Sequence, residues 1–332
     1  MRTKRVLTVI FKIVLIVLMY ETLTRIMMPK YIFENQDGRI TREYYSSAKY
    51  DDVIFVGSST VFSGIDPAIL WSDAGISSYI RANASQPMWI SYYMVEDAVR
   101  CHKPELVCID TTFIKYEDDY VEEPSTRKAL DGMRLSPSKI GAVNASMGED
   151  EKMIEYIIPL FRFHTRWKEL TWNDIRYAWY NKKVTLNGFI EDDEIDPVTE
   201  PELIYTAEAK ELGPRNMEYL CRTIELCQEN GIKVMVFKMP SHSSNWNAVY
   251  DQQIAEAVSR YKIEYINFDG LNDEIGIDYS TDTPDAGSHL NSSGAYRFSA
   301  YLADYITERF DVTDRRNDEQ YVKYWNRTTN SL

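Results

Sequence analysis

The sequence predicts an α/β protein: a flavodoxin-like, three-layer α/β/α fold around a mostly parallel sheet, with a helical insertion and an N-terminal transmembrane helix. Two observations carry that expectation. Short apolar runs, Val53–Val56, Leu106–Ile109 and Val234–Lys238, each stop abruptly at polar or turn residues. Such runs, four to five residues long, read as strands buried on both faces. Between them lie stretches with helical spacing of apolar residues, and this alternation argues for a parallel, doubly wound sheet.

The chain opens with a basic pentapeptide, Met1–Arg5, followed by a nearly uninterrupted apolar stretch from Val6 to Tyr20 that fades towards Met28. About 20 residues are needed to span a bilayer. Val6–Met28 reaches that length with Lys12, Glu21 and Arg25 inside it, and Lys12 can snorkel. A cleaved signal peptide shares the basic start. However, Tyr20-Glu21-Thr22 stands where a small-residue cleavage site would be. Residues 1–30 are therefore read as an uncleaved signal anchor. A cleaved signal peptide and a core helix of a soluble chain are the alternatives. Basic residues ahead of the span hold the amino end inside, so the rest of the chain is expected to be extracytoplasmic, on a single-pass membrane protein.

Residues 31–50 are polar and aromatic, a linker that is either a stalk or a segment packed on the domain. The α/β domain is expected over 51–310. After the opening strand and Gly57-Ser58-Ser59, Asp66-Pro67 supplies an N-cap with proline at the first helical position for a helix to Ala74. A second strand is predicted over Ile76–Ala82, a helix over Met88–Cys101 and a third strand at Leu106–Ile109. Residues 113–200 break the rhythm and read as a helical insertion. Its acidic runs at Glu117–Asp119 and Glu191–Glu194 are expected to be solvated loops. The pattern resumes with a helix over Glu202–Asn230 closed by Gly231. A strand at Val234–Lys238, a helix at Asn247–Tyr261, a strand at Ile263–Phe268 and a last helix at Ala295–Arg309 follow. Residues 311–332 read as a polar, irregular tail, with Tyr321 and Trp325 able to dock back.

Composition narrows the function. The 332 residues carry 51 acids against 37 bases, a formal charge of −14. This excludes a general nucleic-acid binder, which needs basic surface to displace counterions. The four cysteines, Cys101, Cys108, Cys221 and Cys227, form no CxxC pair or metal-ligand spacing. They read as free thiols, and no metal or other cofactor is expected.

The chemistry-bearing residues gather at predicted strand ends, where open α/β sheets place ligands. Gly57-Ser58-Ser59 offers a serine at the first of these. A serine nucleophile needs a base that works near neutral pH, and a carboxylate to orient it. There are four histidines: His102, His164, His242 and His289. His289 fits best, four residues after Asp285 in a glycine-containing loop before the last helix. His242, also beyond a strand end, competes with it.

Together, Gly57-Ser58-Ser59 and Asp285-Ala286-Gly287-Ser288-His289-Leu290-Asn291 resemble the SGNH (GDSL-type) hydrolase superfamily. The likeness covers about 51–112 and 231–310 and is greatest to its membrane-anchored bacterial branch, related to teichoic-acid D-alanyl-transfer and alginate O-acetylation proteins. The resemblance implies Ser59 as nucleophile, His289 as base and Asp285 as orienting acid. The family spacing is often Asp-x-x-His, one residue shorter, which keeps Asp282 in play. The family oxyanion hole combines the serine N–H, a glycine N–H after the second strand and an asparagine after the third. Here Asn83-Ala84-Ser85 and Asp110-Thr111-Thr112 stand in the latter two places. Ser59, Ala84 and Ser85 are then the candidate backbone donors. His164 and Arg166, in the insertion, are candidate substrate-binding residues, with packing on the neighbouring Phe163 and Trp167 as the alternative.

The resemblance implies an extracytoplasmic esterase or acyltransferase acting on acyl esters of a surface glycan or teichoic-acid-like polymer, working with a membrane-bound acyltransferase partner. The alternative is a non-catalytic SGNH-fold partner in surface-polysaccharide assembly.

Overall fold

The computed structural model describes residues 2–120, 122–199, 210–242 and 246–330. It begins with a 26-residue helix, α1 (Arg2–Met27), followed by α2 (Asp37–Tyr44). The α/β unit runs β1 (Val53–Gly57), α3 (Ser59–Gly64), α4 (Pro67–Ala74), β2 (Ser78–Ala82), α5 (Met88–Cys101) and β3 (Leu106–Asp110). The insertion contributes α6 (Glu123–Asp131), α7 (Pro137–Ser146), α8 (Met153–Ile157), α9 (Leu160–Phe163) and α10 (Trp172–Arg176). Then come α11 (Pro214–Glu229), β4 (Lys233–Lys238), α12 (Ala248–Ser259), β5 (Tyr265–Asn267), α13 (Asn272–Ile275), α14 (Ser292–Arg309) and α15 (Glu319–Thr329).

The five strands form one parallel sheet in the order β2-β1-β3-β4-β5. Alternate side chains of each strand face opposite layers. Ile54, Val56, Val107 and Ile109 point into one core with α5, α11 and α12. Val53, Phe55, Leu106 and Cys108 point into the other with α4 and α14. Burial on both faces is why these strands read as unbroken apolar runs. The strand order reverses at β1 and β3, whose carboxyl ends form the switch point where such sheets carry their sites.

Helix α1 does not belong to either core. Within its span Thr3–Met27, an 18-residue window has a mean hydropathy of 2.2 and none of that window is buried against the rest of the chain. Val6 to Met19 present large apolar side chains outward. It is long and apolar enough to cross a membrane, and the packing that a soluble core helix would show is missing.

One open alternative is decided and two expectations change. Residues 31–50 are not a free stalk: Ile40 and Tyr44 of α2 are fully buried, and Tyr79 donates to the Ile40 carbonyl at 2.8 Å. The predicted helix over 202–230 starts only at Pro214. Lys210–Gly213 are irregular, and 200–209 lie outside the described residues. The tail is not irregular either. Asp318 caps α15, whose Tyr321, Trp325 and Thr328 fall on one buried face. Trp325 stacks on Trp71 at 5.4 Å and donates to Ser77 Oγ at 2.8 Å. So short a segment gives little helical signal of its own, and the helix depends on tertiary packing.

Gly57, the last residue of β1, has no room for a side chain. A Cβ there would stand 2.5 Å from Val61 Cγ2 and 2.7 Å from Asp110 Cβ. Gly57→Ala should therefore overpack the β1–α3 turn and destabilise the fold by about 1–3 kcal/mol, read as a lower denaturant midpoint at unchanged slope.

Candidate active site

Ser59 is the first residue of α3, just past the carboxyl end of β1. Ser58, the N-cap position, is fully buried and turns inward to share a 3.2 Å hydrogen bond with Thr60. Ser59 is partly exposed, and its Oγ lies 2.8 Å from Nε2 of His289. Nδ1 of the same ring is 2.5 Å from Asp285 Oδ2. The tautomer that satisfies both contacts carries its proton on Nδ1, leaving Nε2 free to accept from the serine. The structure thus brings Ser59, His289 and Asp285 into one hydrogen-bonded line across 230 residues of sequence.

The loop that presents the last two is folded to fit its spacing. Ala286 and Gly287 both adopt left-handed backbone, with φ of 53° and 89°. Thr283 Oγ1 accepts from the Gly287 N–H at 2.7 Å and the Asp285 N–H at 3.3 Å. This tight winding takes up the extra residue between the acid and the histidine. Asp285 can then accept from the His289 backbone N–H through Oδ1 (2.8 Å) while Oδ2 meets the ring. Gly287 is also needed for space, since a Cβ would lie 2.5 Å from that of His242. Outside the loop, residues 192–198 act as a brace. The Asp192 carbonyl accepts from Ser292 N, Glu194 O from Asn291 Nδ2, and Asp196 O from Ala286 N. The second acidic run is therefore a backbone clamp on the histidine loop.

The other candidates fall elsewhere. Asp282 is fully buried and pairs with Arg297 at 3.1 Å, with no contact to His289. His242 lies beside the loop, its N–H donating to the Gly287 carbonyl and its ring 5.5 Å from that of Tyr279. His102 is 3.9 Å from Asp52, at the amino-terminal side of the sheet. Neither His164 nor Arg166 has a hydrogen bond to the triad. His164 Nδ1 contacts the Phe161 carbonyl, whereas Arg166 donates to the Met27 carbonyl at the end of α1 and to Asp174 at 3.1 Å. Arg166 thus joins the insertion to α1.

Ala84 and Ser85 occupy the turn after β2, with Ser85 left-handed at φ 53°. A residue beside them is more telling. Asn83 is fully buried, and neither its Nδ2 nor its Oδ1 has a hydrogen-bond partner among the described residues. Gly57 pairs with Ala82, so Asn83 sits one register step further on, level with Ser58. A buried amide without partners costs about 1–3 kcal/mol, and such groups call for an explanation such as a catalytic role or an absent ligand. The sequence signal was an asparagine directly after a strand, which the expectation of backbone donors passed over. In the third place, Thr112 donates to Asp110 at 2.7 Å and Thr111 to the Phe237 carbonyl at 3.1 Å, so both hydroxyls are engaged.

No protein-family model matches the chain, and no curated protein matches it in sequence.

Burial pushes the Asp285 carboxyl up, but the hydrogen bonds and charge of His289, with help from Thr283, outweigh it and hold the group below the usual carboxylate range. A carboxyl with a depressed folded pKa adds stability above its unfolded pKa of about 3.9 and loses it as pH falls through the folded value. Asp285→Asn should therefore remove part of the acid-side slope of stability. Thermal unfolding of the two proteins from mildly to strongly acidic pH should show their difference shrinking as pH drops.

Proposed function

We propose that the protein is a membrane-anchored serine esterase or acyltransferase of SGNH type, with its catalytic domain outside the cytoplasm. The observation that carries this reading is the Ser59–His289–Asp285 line, with 2.8 Å and 2.5 Å contacts. Ser59 Oγ attacks the ester carbonyl as its proton passes to His289 Nε2, and Asp285 stabilises the resulting imidazolium. The tetrahedral intermediate collapses, its C–O bond to the alcohol breaks, and His289 returns the proton to the leaving oxygen. Water or an acceptor hydroxyl then attacks the acyl-serine with His289 again as base. The Ser59 N–H at the start of α3 and the unpartnered Asn83 amide are the proposed oxyanion donors, with Ala84 and Ser85 N–H groups adjacent. An acyl ester on a surface glycan or teichoic-acid-like polymer is the proposed substrate class. Its support is the likeness of the two motifs and the apolar α1.

One observation favours a second reading, a non-catalytic partner in surface-polymer assembly. No glycine follows β2, and the hydroxyls after β3 are turned into the protein. The two readings separate with a fluorophosphonate probe on the full chain in detergent. Labelling is expected for the parent and for Ser58→Ala but not for Ser59→Ala. Labelling of Ser59→Ala, with none of Ser58→Ala, would refute the nucleophile. An unlabelled parent would favour the second reading.

Hydrolysis of a short-chain aryl ester gives a finer test. Asn83→Ala should lower kcat about 100- to 1000-fold, the usual cost of one oxyanion donor, with KM little changed. Ser59→Ala should cost about a millionfold.

A further inference from the structure

A cleft of ≈ 480 Å³ opens where α1 meets the domain, far in sequence from the triad loops. Its walls combine the last turns of α1 with α2 and the turn after α6. Five cations line it: Arg25, Lys30, Arg39, Arg42 and Arg134. Only two acids do, Glu21 and Asp131, and both already have partners, Arg25 at 3.7 Å and Arg127 at 3.5 Å. Lys30 pairs with Asp174 at 3.7 Å and Arg39 with Glu43 at 3.1 Å. Arg42 and Arg134 have no carboxylate within ion-pair distance among the described residues. Arg134 lies over the Tyr45 ring at 4.4 Å. Arg42 is repelled by Arg39 and Arg25 and attracted more weakly by Glu43 and Glu21, and both Arg42 and Arg134 are exposed. The Thr24 hydroxyl on the same wall is buried without a partner.

In a chain of charge −14, a cleft lined by five cations and two acids, with two arginines outside any ion pair, is a local exception that suits an anion. Burial also lowers Lys30 to about 8, although its partner Asp174 opposes the shift. The position limits the anion's source. Lys30 donates to the Ile26 and Met28 carbonyls and Arg166 to that of Met27, fixing the cleft to the carboxyl end of α1. The 26-residue helix is about 39 Å long at 1.5 Å per residue, against a hydrocarbon core of about 30 Å. With the apolar side chains of Val6–Met19 in the core, Arg25 and the cleft stand at headgroup level.

We propose that this cleft binds the phosphate of an anionic lipid headgroup, seating the domain against the membrane surface. The proposal rests on α1 crossing the membrane and is independent of the triad's chemistry.

The test uses the full chain, stripped of lipid in neutral detergent, and native mass spectrometry. It is titrated separately with phosphatidylglycerol, phosphatidylcholine and glycerol phosphate. Phosphatidylglycerol should bind preferentially, and its affinity should fall as salt rises. Arg42→Gln and Arg134→Gln should each weaken it about fivefold, the usual worth of one basic residue at an anionic surface. Lys323→Gln, an exposed control on α15, should leave it unchanged. Equal binding of the two lipids, salt-insensitive binding, or full affinity in the Arg42→Gln/Arg134→Gln double variant would overturn the proposal. Glycerol phosphate binding as tightly as the lipid would reassign the cleft to a soluble phosphate ester and overturn the lipid assignment.

Discussion

The Asp110 carboxylate, at the end of β3, joins the carboxyl ends of the three central strands. It accepts from Thr60 after β1 at 3.2 Å, from Thr112 after β3 at 2.7 Å and from the Met239 N–H after β4 at 3.1 Å. It is 2% exposed, and burial raises its pKa despite those bonds. Its Cβ stands where a side chain on Gly57 would go. The turn holding Ser59 is therefore shaped from behind by a buried carboxylate and from within by an absent side chain. Remove either and the first turn of α3 loses the reference that aims Ser59 at His289.

A second buried charge works one strand further out. Lys238, at the end of β4, pairs with Asp269 at 2.6 Å, both side chains being 1% exposed, and Ser241 N also donates to Asp269 at 2.8 Å. Burial is the chief influence on Asp269 and raises it, although Lys238 opposes the shift. The pair anchors the start of the β4 exit loop, which runs on to His242 against Gly287. Breaking a buried pair costs about 3–5 kcal/mol because the survivor is left uncompensated. The sheet edge that bears the triad is thus built from polar groups satisfied inside the protein. Asn83 stands out among them, a buried amide with neither its Nδ2 nor its Oδ1 partnered, beside the serine turn.

The opposite end of the molecule follows another logic. α1 joins neither core of the domain and most of its apolar surface faces outward, yet its last carbonyls are taken by Arg166 and Lys30. The insertion therefore meets the helix as well as the sheet layers. His164 and Arg166 attracted attention as charged tips that could reach over a cleft. Arg166 instead caps the end of α1, where a cation is favoured by the helix dipole.

Much of the sheet was legible because parallel strands buried on both faces are mostly apolar, and helices must repeat every 3.6 residues. Gly57, Asp66-Pro67 and Gly231 added punctuation with local causes. The serine and the histidine could be paired from the two motifs and their order along the chain, with His242, beyond another strand end, the competitor that order did not remove. Chain order could not decide among Asp282, Asp285 and their neighbours. That choice came from a left-handed pair, Ala286 and Gly287, whose conformation depends on Thr283 and on the brace at 192–198. Nor could it reveal α15, whose helicity depends on Trp325 finding Trp71, or the unpartnered amide of Asn83. Local patterning fixes most strands and helices, because those need only their own side chains. Long-range contacts decide which polar groups meet, because hydrogen bonds need atoms within about 3 Å that sequence distance does not measure.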